Sequence, residues 1–139
     1  MKGLTMKTNK SEITIEVTQL KLSAIWIALM LTYLLGDVMR IFSGDFVAGE
    51  MVGAQTSQGL YLGMAVLFVM PIIMVFLSLT LNYKTNRWMN LILAILFFVI
   101  NLIGLPGYPS YYDQFLIVVG LGFNLLTIWH AWKWIEQEE

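Results

Sequence analysis

Four long, nearly charge-free apolar runs constrain this chain more than any other feature. The first is Leu22 to Gly36, bounded by Lys21 and Asp37 and long enough to cross a bilayer only if it continues to Phe42. The second is Gly59 to Leu81, the third Trp88 to Leu105, ending at the breakers Gly104, Pro106 and Gly107, and the fourth Gln114 to Trp134. A spanning helix needs about 20 mostly apolar residues, and a helix that is apolar on every side belongs in lipid. Composition agrees: 58% of the residues are hydrophobic, 12% are charged and the mean hydropathy is +0.74, whereas a soluble domain carries about a quarter charged residues. The expected fold class is all-α, a polytopic membrane protein built as a four-transmembrane-helix bundle. The spans are expected at about 21–41, 59–81, 88–105 and 114–134, in one domain over 21–135, after an N-terminal segment 1–20 and before a short acidic tail 136–139.

Lys and Arg in short loops are retained on the cytoplasmic side. Lys2, Lys7, Lys10 and Lys21 precede the first run, Lys84 and Arg87 lie between the second and third, and Lys133 ends the fourth; Arg40 alone falls on the other side. Both termini are therefore expected in the cytoplasm, with the 41–58 segment and the Pro106–Asp113 loop outside, in a prokaryotic plasma membrane. Trp88, Trp129, Trp132 and Trp134 fall at inner ends and Tyr61, Tyr108, Tyr111 and Tyr112 at outer ends, as interfacial aromatics do. A cleaved signal peptide is the rival for the first run, but Glu12 and Glu16 precede it and no small-x-small site follows Leu35. In SEITIEVTQ, Ile13, Ile15 and Val17 alternate with polar residues, which leaves a strand, an interfacial stretch or a mobile tail open.

Polar groups inside hydrocarbon need partners within the bundle, so they carry the information. Asp37 falls about one turn inside the outer boundary, and its i,i+3 spacing to Arg40 allows the two to pair on a face that continues inward through Tyr33, Met30 and Trp26. Asn90 and Asn101, eleven residues apart, share a face with Ala94 and Phe97. Gly120, Asn124, Thr127 and Ala131 form a stripe that suits close helix approach. Gly59 and Gly63 form a GxxxG, and Pro71 is expected to kink the second span. The functional reading is an outward-opening polar cavity lined by Tyr33, Asp37, Arg40, Asn101 and Asn124. The competing structural reading is that Asp37 and Arg40 neutralise each other while the asparagines hold helices together for about 1 kcal/mol each.

Several chemistries lack their residues. Zero cysteines remove thiol nucleophiles, disulfides and thiolate metal sites. A net charge of -1, with 8 Lys+Arg against 9 Asp+Glu and no basic block, argues against nucleic acid as a partner. His130 is the only histidine, so bis-histidine haem ligation is impossible within one chain. Asp45, Glu50 and Asp113 lack calcium-loop spacing, and the nine methionines read as packing, so no metal or other cofactor is expected. No Ser–His–Asp set, H-E-x-x-H or phosphate loop occurs, and no catalytic residue is assigned.

The segments KLSAIWIALMLTYLLGDVMRIFSG, QGLYLGMAVLFVMPIIMVFLS, LNYKTNRWMN and TIWHAWKW resemble a family of small prokaryotic four-helix membrane proteins known only as a domain of unknown function. The opening K-L-S-A-x-W with the later Asp37, and the N-Y-K-x-N-R-W loop, are its most specific parts. The resemblance implies the four-helix topology and no activity. A looser likeness to DoxX-type four-helix proteins rests on size and hydropathy. Three functions stay open: a non-enzymatic membrane module serving as accessory subunit, sensor or scaffold; a small transporter or ligand-binding protein using the Asp37–Arg40 region; and an enzyme acting on a lipid or quinone through the Tyr33–Asp37–Arg40 stripe. The expected partners are the lipid bilayer and either a second copy or another membrane protein.

Overall fold

The structure, a computed structural model, describes residues 3–8, 11–51 and 54–135. Two strands, β1 (Leu4–Thr8) and β2 (Ser11–Ile15), pair antiparallel with Leu4 opposite Ile15, so the alternating stretch is a strand as far as Ile15, while Val17 already belongs to the first helix. Then come α1 (Val17–Ser43), a two-residue pair of strands β3 (Glu50–Met51) and β4 (Ala54–Gln55), α2 (Gln58–Thr80), α3 (Tyr83–Gly104), a 3₁₀ turn at Leu105–Gly107 and α4 (Tyr111–Lys133).

The starts of α1, α2 and α3 lie where capping chemistry puts them, ahead of the apolar runs. At α1 the capping box of Glu16 and Gln19 starts the helix ahead of Leu22, with the Glu16 N–H donating to Gln19 Oε1 at 2.9 Å. It stops at Gly44, whose φ of 80° is left-handed and suits glycine. Ser57 accepts from the Leu60 N–H to begin α2, and Asn82 accepts from the Thr85 N–H to begin α3 five residues before Trp88. At 22 to 27 residues each, the helices extend about 33–40 Å. All four are long and apolar enough to cross a membrane.

The helices run up and down in turn. α1 packs along both α2 and α4, and α4 along α3, while α2 and α3 touch only sparsely. The N-terminal half of α2 has no buried residue: those it has, Pro71, Met74 and Ser78, all lie toward its C-terminal end. The helix continues through Pro71. The Trp134 indole N–H donates to the Glu16 carboxylate, so the start of α1, the end of α4 and the α2–α3 link share one end of the bundle. Segments 44–51, 54–57 and 105–110 share the other.

Polarity is inverted relative to a water-soluble bundle. Large apolar side chains such as Leu31, Phe76, Ile103 and Phe115 point outward, whereas Ser23, Ser78, Asn86, Asn90, Asn124 and Thr127 are buried. That arrangement loses free energy in water and suits a lipid surround, where polar groups hold helices together from within. The apolar core is correspondingly small, centred on Trp26, Leu29, Met74, Ala94 and Phe97. Trp26 and Phe97 meet edge to face at 6.3 Å between ring centroids.

Candidate functional site

Two polar groupings occupy opposite halves of the bundle. The first lies between α1, α2 and α3, near the α2–α3 link. Asn90 Oδ1 accepts from the Trp26 indole at 2.7 Å and from the Ser78 hydroxyl at 3.3 Å; Asn90 Nδ2 donates to the Asn86 side chain and backbone at 2.7 and 2.9 Å; Asn86 Nδ2 donates to the Ser78 carbonyl at 2.7 Å. The Ser23 hydroxyl adds a bond to the Val75 carbonyl at 2.8 Å. Every group here finds a partner, which makes this a clasp rather than a binding site.

The second grouping surrounds a cavity of about 420 Å³ in the other half, walled by all four helices. Its floor is Tyr33 of α1, whose hydroxyl accepts from Asn101 Nδ2 of α3 at 2.6 Å and whose ring meets Phe68 of α2 edge to face at 5.9 Å. Tyr33 reaches this place because α4 carries a glycine beside it: a Cβ on Gly120 would sit 3.4 Å from Tyr33 Cε1. Asp37 and Arg40, one turn further along α1, line the mouth together with Tyr108 and Asp113.

Asp37 and Arg40 do not form the expected i,i+3 pair. Arg40 Nε instead donates to both carboxylate oxygens of Asp113 at 3.3 Å, and its guanidinium lies over the Tyr108 ring at 4.4 Å from the centroid. The physical reason is burial. Asp113 is 7% exposed in the first turn of α4, so leaving it without a counter-ion is costly, whereas Asp37 is exposed at the cavity mouth. Among the described residues, the Asp37 carboxylate accepts no hydrogen bond.

Of the five residues expected to line one cavity, Tyr33, Asp37, Arg40 and Asn101 do so. Asn124 does not. It is fully buried on α4, one turn from Gly120, where its carboxamide faces the Tyr33 hydroxyl that Asn101 already reaches and makes no hydrogen bond of good geometry. Asp113, Tyr108 and Phe68 complete the site without having been singled out as lining it. The signal for Asp113 was available, since Arg40 is the sole cation expected at that end and several acids compete for it.

Other groups are engaged elsewhere. Asp45 accepts from Ser43, Ser110 and Tyr112, and these three donors hold its carboxyl below the ordinary value, Tyr112 contributing most. His130 Nδ1 lies 2.8 Å from the Leu126 carbonyl of its own helix. No three His, Asp or Glu side chains cluster for a metal ion among the described residues. The GxxxG of α2 brings no helix close: a Cβ on Gly63 would meet nothing within 4 Å.

With this geometry in place, comparison with known proteins adds one match. From residue 12 to residue 139 the sequence matches the Family of unknown function (DUF6326). The chain belongs to that family. The match takes in β2 and every helix of the bundle, and the DUF6326 assignment carries no activity with it. No curated protein and no solved structure matches, and the looser DoxX likeness gains no support.

Proposed function

We propose that this DUF6326 protein is a non-enzymatic, multi-pass membrane module that binds a small amphipathic molecule in the cavity between its helices, as a sensor or small carrier. The observation that carries the reading is the cavity itself. A bundle this small has little interior to spare, yet about 420 Å³ stays open beside Tyr33, Asp37 and Asn101, with apolar walls and a few convergent polar groups. Sites for small organic ligands have this character. The inverted polarity of the bundle supports membrane insertion. Lys84, Arg87 and Lys133 at one end, against Arg40 at the other, support cytoplasmic termini and a mouth facing outward.

Native mass spectrometry of the detergent-solubilised protein tests this, with Met64→Trp as the cavity-filling variant, since Met64 lines the cavity from the loosely packed half of α2. The expected result is a small molecule retained by the wild type and reduced by about tenfold in the variant, the effect of about 1.4 kcal/mol of lost binding. Equal occupancy in the two would place the ligand elsewhere. No bound molecule in the folded wild type would remove the reading in favour of a scaffold that works through protein contacts.

A further inference from the structure

Resting on that reading, we propose that the cavity takes a lipophilic organic cation, an ammonium or phosphonium centre carrying aromatic or aliphatic bulk, with Asp37 as its counter-ion. Charge is the first argument. The mouth holds two carboxylates, Asp37 and Asp113, and one guanidinium, Arg40, which leaves one negative charge over. The Arg40 charge is already matched by Asp113, which takes its Nε, and its guanidinium rests on the Tyr108 face. Asp37 accepts no hydrogen bond and shares Arg40 only through its charge, at longer range than Asp113 does. A carboxylate beside apolar helix surface is stabilised by whatever cation can come within contact distance.

The wall decides which cation. Below Asp37 the lining is aromatic and aliphatic: Tyr33, Phe68 and Phe97 present rings, and Met64, Leu67 and Leu116 present aliphatic and thioether surface. Aromatic faces attract an organic cation, and the remaining wall gains from covering its apolar body. A bare divalent metal ion would need about six oxygen ligands, and one free carboxylate in such a wall does not supply them.

Tetraphenylphosphonium and tetraphenylborate, similar in shape and opposite in charge, are the probes, applied to the full chain in nanodiscs of neutral lipid and read by equilibrium binding. The expected result is phosphonium binding in the wild type, loss of at least about tenfold in Asp37→Asn, recovery in Asp37→Glu, and no saturable borate binding. Asp37 makes no hydrogen bond, so Asp37→Asn is expected to fold; wild-type helicity and melting temperature check this. Asp113→Asn, with folding checked in the same way, adds a second readout of charge at the mouth. It frees Arg40 to neutralise Asp37 and should weaken phosphonium binding while leaving Asp37 intact.

Binding should also weaken as pH falls in the wild type and lose most of that dependence in Asp37→Asn. The groups facing Asp37 are Tyr33 and Arg40 of α1, Tyr108 of the turn and Asp113 of α4, while α2 and α3 contribute no titratable side chain to the lining. Borate binding equal to phosphonium binding, or phosphonium binding unchanged in Asp37→Asn, would overturn the cation assignment and leave the cavity reading standing. Failure of both probes to bind overturns it too, whereas the cavity reading falls only to the mass spectra, through an empty wild type or equal occupancy in Met64→Trp.

Discussion

Asn90 and Asn124 are both fully buried carboxamides, yet they should respond differently to the same substitution. Asn90→Leu would strand the Trp26 indole N–H and an Asn86 oxygen, both now bonded at 2.7 Å. It should cost about 1–3 kcal/mol. Asn124→Leu removes a carboxamide that faces only the Tyr33 hydroxyl, already bonded to Asn101, and replaces it with apolar volume of similar size, so it should be neutral or stabilise by up to about 1 kcal/mol. Unfolding of the two variants and the wild type in one detergent checks this; an equal loss in both would show that Asn124 has a partner in the folded state. Part of this contrast was legible. The spacing of Asn90, Ala94, Phe97 and Asn101 put them on one face, and Gly120, Asn124 and Thr127 on another, because helical period alone fixes which residues share a side. Which asparagine is satisfied was not legible, since Asn90's partners Trp26 and Ser78 come from other helices.

At the scale of elements, the segment between α1 and α2 is tied to the start of α4 through Asp45. Its carboxyl accepts from Ser110 and Tyr112 across 65 and 67 residues of chain, and these bonds hold its pKa below the ordinary 3.8. A lowered folded-state value means that the ionised form is favoured by folding. The stabilising contribution is therefore complete above 3.8 and is lost as pH falls through the lower folded value. The melting temperature of Asp45→Ala should accordingly lie below that of the wild type at neutral pH, with the gap closing only in strong acid. A gap that persists there, or that closes near neutrality, would exclude Asp45 as its source. Hydropathy located the helices and bounded α2 to within a residue, but it began α1 and α3 four and five residues late, because Glu16 and Asn82 start those helices through caps that an apolar-run criterion ignores. The Asp37–Arg40 pair failed for a related reason: local spacing permits it, but Asp113, seventy-three residues on from Arg40, is the more buried acid.

For the whole molecule, the open question is which end faces which compartment, and the absence of cysteine makes it accessible to single labels. Glu50→Cys lies at the cavity end and Lys84→Cys at the opposite one. A membrane-impermeant maleimide added to intact cells should modify the first, and should reach the second only after permeabilisation. The reverse pattern would invert the arrangement and turn the cavity mouth inward. Number of helices, their alternation and the basic end were all readable from sequence, since each follows from local composition. Much of the cavity's polar lining was readable as well; its apolar wall and its size were not, because they depend on how far α2 stands from α3.

That unequal packing has a mechanical corollary. α2 is fastened near its C-terminal end by Ser78, Met74 and the asparagine clasp, and carries no buried residue from Gln58 to Met70. Its other arm rests on α1 through Leu67, Met70 and Phe68, with no residue fully enclosed. An arm so held should move more than the fastened end, carrying Met64, Leu67 and Phe68 with it. Entry and exit of an occupant then require only that this arm lean outward, sideways into the surrounding lipid, while the clasp and the other three helices hold still.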